Sequence, residues 1–154
     1  MKKFLLLVSM LLNGVLAIAQ ENQKYDKAFA DSLGADDYGM KQYYLVILKT
    51  GPQDKNITDK AIRDSLFKGH FDNMGKMAAA GKLIVAGPIG QNDKTYRGIF
   101  ILNVKTQEEA QTLTQTDPSI KAGIFEVEFY PWYGSAALPI YLNYTDKVQK
   151  TKIF

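Results

Sequence analysis

The chain has one histidine, His70, and no cysteine. Thiolate nucleophiles, disulfides and thiolate metal sites are therefore out of reach, and a lone histidine is a poor start for a zinc site, so no metal or other cofactor is expected. What remains is proton chemistry. An imidazole is the side chain best suited to give and take a proton near neutral pH, provided a second group orients it. Placed on a helical wheel at about 100° per residue, His70 falls inside an apolar arc formed by Ile62, Leu66, Phe67, Phe71, Met74 and Met77, with Arg63 beside it. It thus points toward a core. There it either bonds a backbone carbonyl as a core histidine or meets a carboxylate and serves as a general acid/base.

Asp117 is the carboxylate to weigh. It precedes Pro118, and an Asp-Pro pair ordinarily opens a turn. It also stands just before an apolar strand, where a carboxylate can reach a pocket at a sheet's end. Arg63 has two readings, a solvated residue of a first helical turn or a clamp for a substrate carboxylate. Gly87 and Pro88 close a strand; they are a turn, or a place where a ligand approaches the backbone. No glycine-rich phosphate loop and no Gly-x-Ser-x-Gly elbow occurs.

These residues need elements to carry them. Tyr43–Leu48 is aromatic and β-branched and reads as a strand that stops at Gly51-Pro52. Thr58–Ala80 reads as a helix with Thr58 or Asp59 as N-cap and Gly81 as its stop. Leu83–Ala86 is a second strand and Arg97–Val104 a third. Thr106 and Glu109 form a capping box that opens a short helix to about Leu113. Ile124–Tyr130 is a fourth strand, ended by Pro131-Trp132. The order is βαββαβ: an α+β, ferredoxin-like domain with an antiparallel four-stranded sheet and two helices on one face.

The first three strands are apolar on both faces: Tyr43, Leu45 and Ile47 oppose Tyr44, Val46 and Leu48, and Ile99 and Ile101 oppose Phe100 and Leu102. Helices cover one face. A second copy of the sheet is the simplest cover for the other, so a homodimer is expected; the leader or the C-terminal tail is the competing cover.

Lys2-Lys3, the apolar run Phe4–Leu16 and Ala17-Ile18-Ala19 have the layout of a removable signal peptide over residues 1–19. The run is short for a bilayer, which needs roughly 20 apolar residues. Export to the periplasm or the medium, without stable membrane association, is the expectation. The formal charge of +3 falls to +1 once Lys2 and Lys3 are removed, and the remaining charges are mixed in sign, which is no footprint for nucleic acid. Residues 20–40 are polar and read as a leader with a helical turn near Tyr25–Leu33, residues 41–133 as the folded domain, and residues 134–154 as a tail containing Leu138-Pro139-Ile140-Tyr141.

Order and spacing together resemble the YciI-like (YCII-related) family. The resemblance spans Tyr43 to Trp132 and rests on Tyr43-Tyr44-Leu45-Val46, on His70 with Arg63 seven residues earlier, on the run Gly81-Lys82-Leu83-Ile84-Val85-Ala86-Gly87-Pro88, and on Asp117-Pro118 followed by Ala122-Gly123. It implies a dimeric α/β barrel and a pocket in which His70 and Asp117 act as an acid/base dyad. Three functions follow. One is a small-molecule enzyme for elimination, isomerisation or hydrolysis. Another is a small-ligand-binding module without turnover. The third is haem ligation through His70, as in other dimeric α/β barrels. An exported domain and the added tail set this chain apart from typical members.

Overall fold

The computed structural model describes residues 22–151. The expected signal peptide, residues 1–19, lies outside the described residues. Among the described residues ten elements follow in chain order: α1 (Lys27–Leu33), β1 (Met40–Thr50), α2 (Lys60–Ala79), β2 (Leu83–Pro88), β3 (Tyr96–Leu102), α3 (Gln107–Thr114), α4 (Pro118–Lys121), β4 (Phe125–Ser135), a 3-10 helix (Leu138–Tyr144) and α5 (Thr145–Val148). The four strands form one sheet in the order β2-β3-β1-β4, and every neighbouring pair is antiparallel. The expected ferredoxin-like βαββαβ domain is the fold found.

The helix ends follow from their capping residues. Asp59 accepts the Ile62 amide at the start of α2, and Gly81, at φ 66°, turns the chain away after its end. Thr106 accepts the Glu109 amide at the start of α3. The return half of that capping box is displaced by one residue, because the Glu109 carboxylate takes the amide of Lys105 rather than that of Thr106.

Strand ends depart from expectation. β1 starts at Met40, and β4 runs through Pro131 to Ser135 because Met40–Tyr43 remain paired with Trp132–Ser135. β4 is an edge strand, where a missing proline N–H is tolerated. The same reason lets β2, the opposite edge, include Gly87 and Pro88, while β3 stops at Leu102, short of Val104.

Val46, Leu48, Phe100, Leu102 and Phe125 of the sheet pack with Met74 and Met77 of α2 and Ala110 of α3 into one core. Helices α2 and α3 therefore lie on one face. The other face is only half covered: Leu45, Ile47, Val85, Ile99 and Ile101 are all half-buried. At one corner of that face Tyr43 is fully buried, with its hydroxyl donating to the Ser135 carbonyl at 2.9 Å. Beyond Ser135 the tail reaches the opposite edge, where the 3-10 helix packs on β2 and the Tyr141 hydroxyl donates to the Ile84 carbonyl. The tail thus packs on the domain, at the sheet's edge and corner.

Candidate functional site

The site begins with a contact between two helices. Along α2, Leu66, Gly69, His70 and Asn73 recur at the three- and four-residue spacing that lines one helical face. The segment Thr116–Ser119 runs past this face in the opposite sense. The Ser119 hydroxyl donates to the Leu66 carbonyl at 3.0 Å, Pro118 lies on Gly69, His70 meets Asp117, and the Thr116 hydroxyl donates to the Asn73 side-chain oxygen at 2.7 Å. The approach at Gly69 is close enough that a Cβ there would sit 2.7 Å from Pro118 Cγ. A glycine in mid-helix costs helix stability, about 1 kcal/mol against alanine. Here it lets the aspartate come up to the histidine.

Asp117 is fully buried and has two tasks, one per oxygen. Its Oδ1 accepts the amides of Ser119 at 2.8 Å and Ile120 at 3.4 Å, which caps the single turn α4. Its Oδ2 lies 2.5 Å from His70 Nδ1. A carboxylate only accepts, so the imidazole donates from Nδ1. In the neutral ring the lone pair is then on Nε2, which has no hydrogen bond to any described residue. Both roles open to Asp117 in the sequence, turn former and histidine partner, are met by the same side chain.

His70 borders a cavity of about 290 Å³. Its walls are apolar: Phe67, Phe71 and Met74 from α2, Leu48 from β1, and Phe125 from β4. The imidazole sits among aromatic rings, 5.2 Å from Phe125, 5.5 Å from Phe71 and, nearly parallel, 6.0 Å from Phe100. Gly87 and Pro88 line the cavity, together with Ala86 and Gly98. A Cβ on Gly98 would lie 2.9 Å from the Gly87 carbonyl oxygen, so the pairing of β2 with β3 needs glycine at this rim.

Arg63 is elsewhere engaged. Its guanidinium donates to the backbone carbonyls of Asp54 and Ile57 at 2.7 and 3.0 Å and to the Asp54 carboxylate at 2.8 Å, and it lies over the Phe67 ring. It clamps the loop between β1 and α2 and is not among the residues that line the cavity. The arginine that does line it is Arg97, at the start of β3. Its guanidinium stands 5.6 Å from the Phe125 ring and 3.5 Å from the Asp54 carboxylate. Simple alternation hides this residue, because it assigns Arg97 to the face of Ile99 and Ile101, away from the helices. Gly69 was equally available in the sequence, as a glycine interrupting a helix next to the histidine.

A larger, open hollow of about 520 Å³ lies between α1 and the turn after β4, lined by Tyr25, Phe29, Leu33, Tyr38 and Ala136 among others. Among the described residues it is lined by no histidine and no buried carboxylate, whereas the smaller cavity is bordered by the buried His70. Among the described residues no group of three or more His, Cys, Asp or Glu side chains is arranged to hold a metal ion.

The sequence model of the YCII-related domain matches residues 43–133. No curated protein matches the chain. Among solved structures, the chain is similar to the 5-chloro-2-hydroxyhydroquinone dehydrochlorinase TftG from Burkholderia phenoliruptrix AC1100, in complex with 2,5-dihydroxybenzoquinone. The identity is 23%, the match covers 58% of this chain and 92% of the other, and the TM-score is 0.43.

Proposed function

Since the chain belongs to the YCII-related domain family, we propose that it is a small-molecule enzyme in which His70 and Asp117 form an acid/base dyad. The observation that carries this reading is the 2.5 Å contact between His70 Nδ1 and Asp117 Oδ2 at the wall of an apolar cavity. With Nδ1 committed to the carboxylate, Nε2 takes a proton from a carbon or oxygen of the bound molecule. The imidazolium so formed is stabilised by Asp117. It returns the proton to another atom of the same molecule, an isomerisation, or to a departing group, an elimination. In hydrolysis the proton comes from water and goes to the leaving group. A positioned acid/base of this kind contributes about 10²–10⁴-fold to a rate.

The test is a turnover screen of small ketones, enols and esters with the wild-type chain and with His70→Ala. Turnover that disappears in the variant supports the dyad. Turnover that survives it refutes the dyad, and saturable binding without turnover marks a ligand-binding module instead.

Two further parts of the reading concern the whole chain. Residues 1–19 act as an export signal, cleaved after Ala19, which N-terminal analysis of protein from its native host tests: the mature chain begins at Gln20, and an intact Met1 overturns it. The open face of the sheet, with Leu45, Ile47, Ile99 and Ile101 half-buried, pairs with a second copy of the chain.

A further inference from the structure

Among the described residues, only two side chains of the cavity wall carry ionisable groups, His70 and Arg97. We infer that the cavity takes a small planar anion, a conjugated carboxylate, with Arg97 holding the anionic oxygens and setting the specificity. The inference rests on the acid/base reading of His70 only for which atom reacts; the ligand class stands on the wall itself.

The first observation is a β-bulge. Leu48 pairs with Gly98, but its neighbour Lys49 pairs with Tyr96, so Arg97 has no partner across from β1. Without that extra residue, strict alternation would direct Arg97 to the open face with Ile99 and Ile101. The bulge turns it toward the helices instead, onto Phe125, whose ring also lies against His70. Bulges that re-aim one side chain are concentrated next to active sites.

Charge is the second observation. Asp54 is the carboxylate next to Arg97, and it is already engaged: its Oδ1 takes Arg63 at 2.8 Å, while Arg97 reaches Oδ2 at only 3.5 Å. The planar fork of Arg97 therefore keeps donors for a ligand, and such forks match carboxylates. Shape is the third. A cavity of about 290 Å³ between Phe67, Phe71, Met74 and Phe125 suits a single flat ring or its conjugated equivalent. With the guanidinium and the imidazole both against Phe125, one end of such a molecule meets Arg97 and the other meets Nε2.

Three probes separate these features: benzoate (planar anion), benzamide (planar, neutral) and cyclohexanecarboxylate (anion, not planar). Each is titrated into the full mature chain while the His70 ring resonances are followed by NMR. Benzoate should give saturable shifts, with benzamide and cyclohexanecarboxylate each about tenfold weaker or more. Arg97→Gln should weaken benzoate by a similar factor and Arg97→Lys by less. Equal affinity for benzoate and benzamide, unchanged benzoate affinity in Arg97→Gln, or no saturable response to benzoate overturns the inference. The wild-type probe series needs no variant to fold. The two readings fail separately: Arg97-dependent benzoate binding that persists in His70→Gln, followed there by titration calorimetry because that variant has no imidazole, supports the ligand class even where the turnover screen has refuted the dyad.

Discussion

Gly69 and Pro118 are in contact across two helices, and the space between them has no room for a Cβ. The residues that follow Gly69 and precede Pro118 are His70 and Asp117. The contact between His70 and Asp117 is therefore held by the closeness of two backbones as well as by its own hydrogen bond. Gly69→Ala gains up to about 1 kcal/mol of helix propensity, yet it should destabilise the fold, because Pro118 and the α4 turn must retreat. The measurement is thermal unfolding, together with the imidazole ¹⁵N shifts that report which ring nitrogen carries the proton. A variant that is more stable, with the Nδ1–H signature intact, would show that the contact relaxes at no cost.

Asp117→Asn keeps an oxygen to cap α4 but turns an amide N–H₂ toward Nδ1 of His70. Two donors then face each other, so the ring should switch to the Nε2–H tautomer. The expected loss is about 1–3 kcal/mol with the fold retained, and any turnover should fall. Asp117→Ala removes the cap as well and should cost more. Nitrogen shifts and chemical denaturation check both; an unchanged tautomer in Asp117→Asn would mean that the carboxylate does not set it.

His70→Ala should abolish turnover and cost up to about 3 kcal/mol, since it leaves Asp117, fully buried, without its partner on Oδ2. The double variant with Asp117→Asn should lose less than the sum of the two single losses, because the second change removes the stranded charge. Denaturation of all four proteins measures this coupling, and additive losses would refute it.

Glu109 ties α3 to the start of β2. The hydrogen bond from Lys82, joined by the Lys105 amide and by both lysine charges, holds its carboxyl below the usual glutamate range. The unfolded chain therefore binds this proton more readily than the folded one. The stabilisation is complete above the unfolded value of about 4.3 and is lost as the pH falls through the lower folded value. Both side chains are more than a third exposed, so the contribution should be under about 1 kcal/mol after screening by solvent. Unfolding of wild type and Glu109→Gln at pH 7 and in acid should show a difference that shrinks on acidification; a constant difference would rule out the ion pair as its origin.

The open face of the sheet supplies a prediction about assembly. Light scattering of residues 20–154 should give a dimer, and Ile99→Glu, at the middle of that face, should give a monomer with the domain still folded. A wild-type monomer would mean that the tail, which already reaches Ile84 through Tyr141, is cover enough.

The order of strands and helices was legible in the residues because each element is short-range. Alternating and periodic apolar side chains, Asp59 and Thr106 as caps, and Gly81 as a stop act within a few positions of themselves. His70 as the one histidine, on an apolar arc, and Asp117 before Pro118 were also readable as types and places. Their meeting was implied only by the resemblance to the YCII-related family and not by any local pattern, since it depends on Gly69 admitting Pro118 while His70 and Asp117 lie 47 residues apart along the chain. Strand ends at Pro88 and Pro131 were misjudged for a related reason: whether proline ends a strand depends on whether that strand is at an edge, which pairing alone decides. The choice between Arg63 and Arg97 shows the same division. Both are arginines near an apolar run, but Asp54 and two carbonyls hold one of them to a loop, and a single unpaired residue in β3 turns the other into the cavity. Local propensities act along the chain, so sequence alone determined the elements. Which side chains share a cavity is decided by register and backbone approach, and these exist only once the sheet and helices have packed.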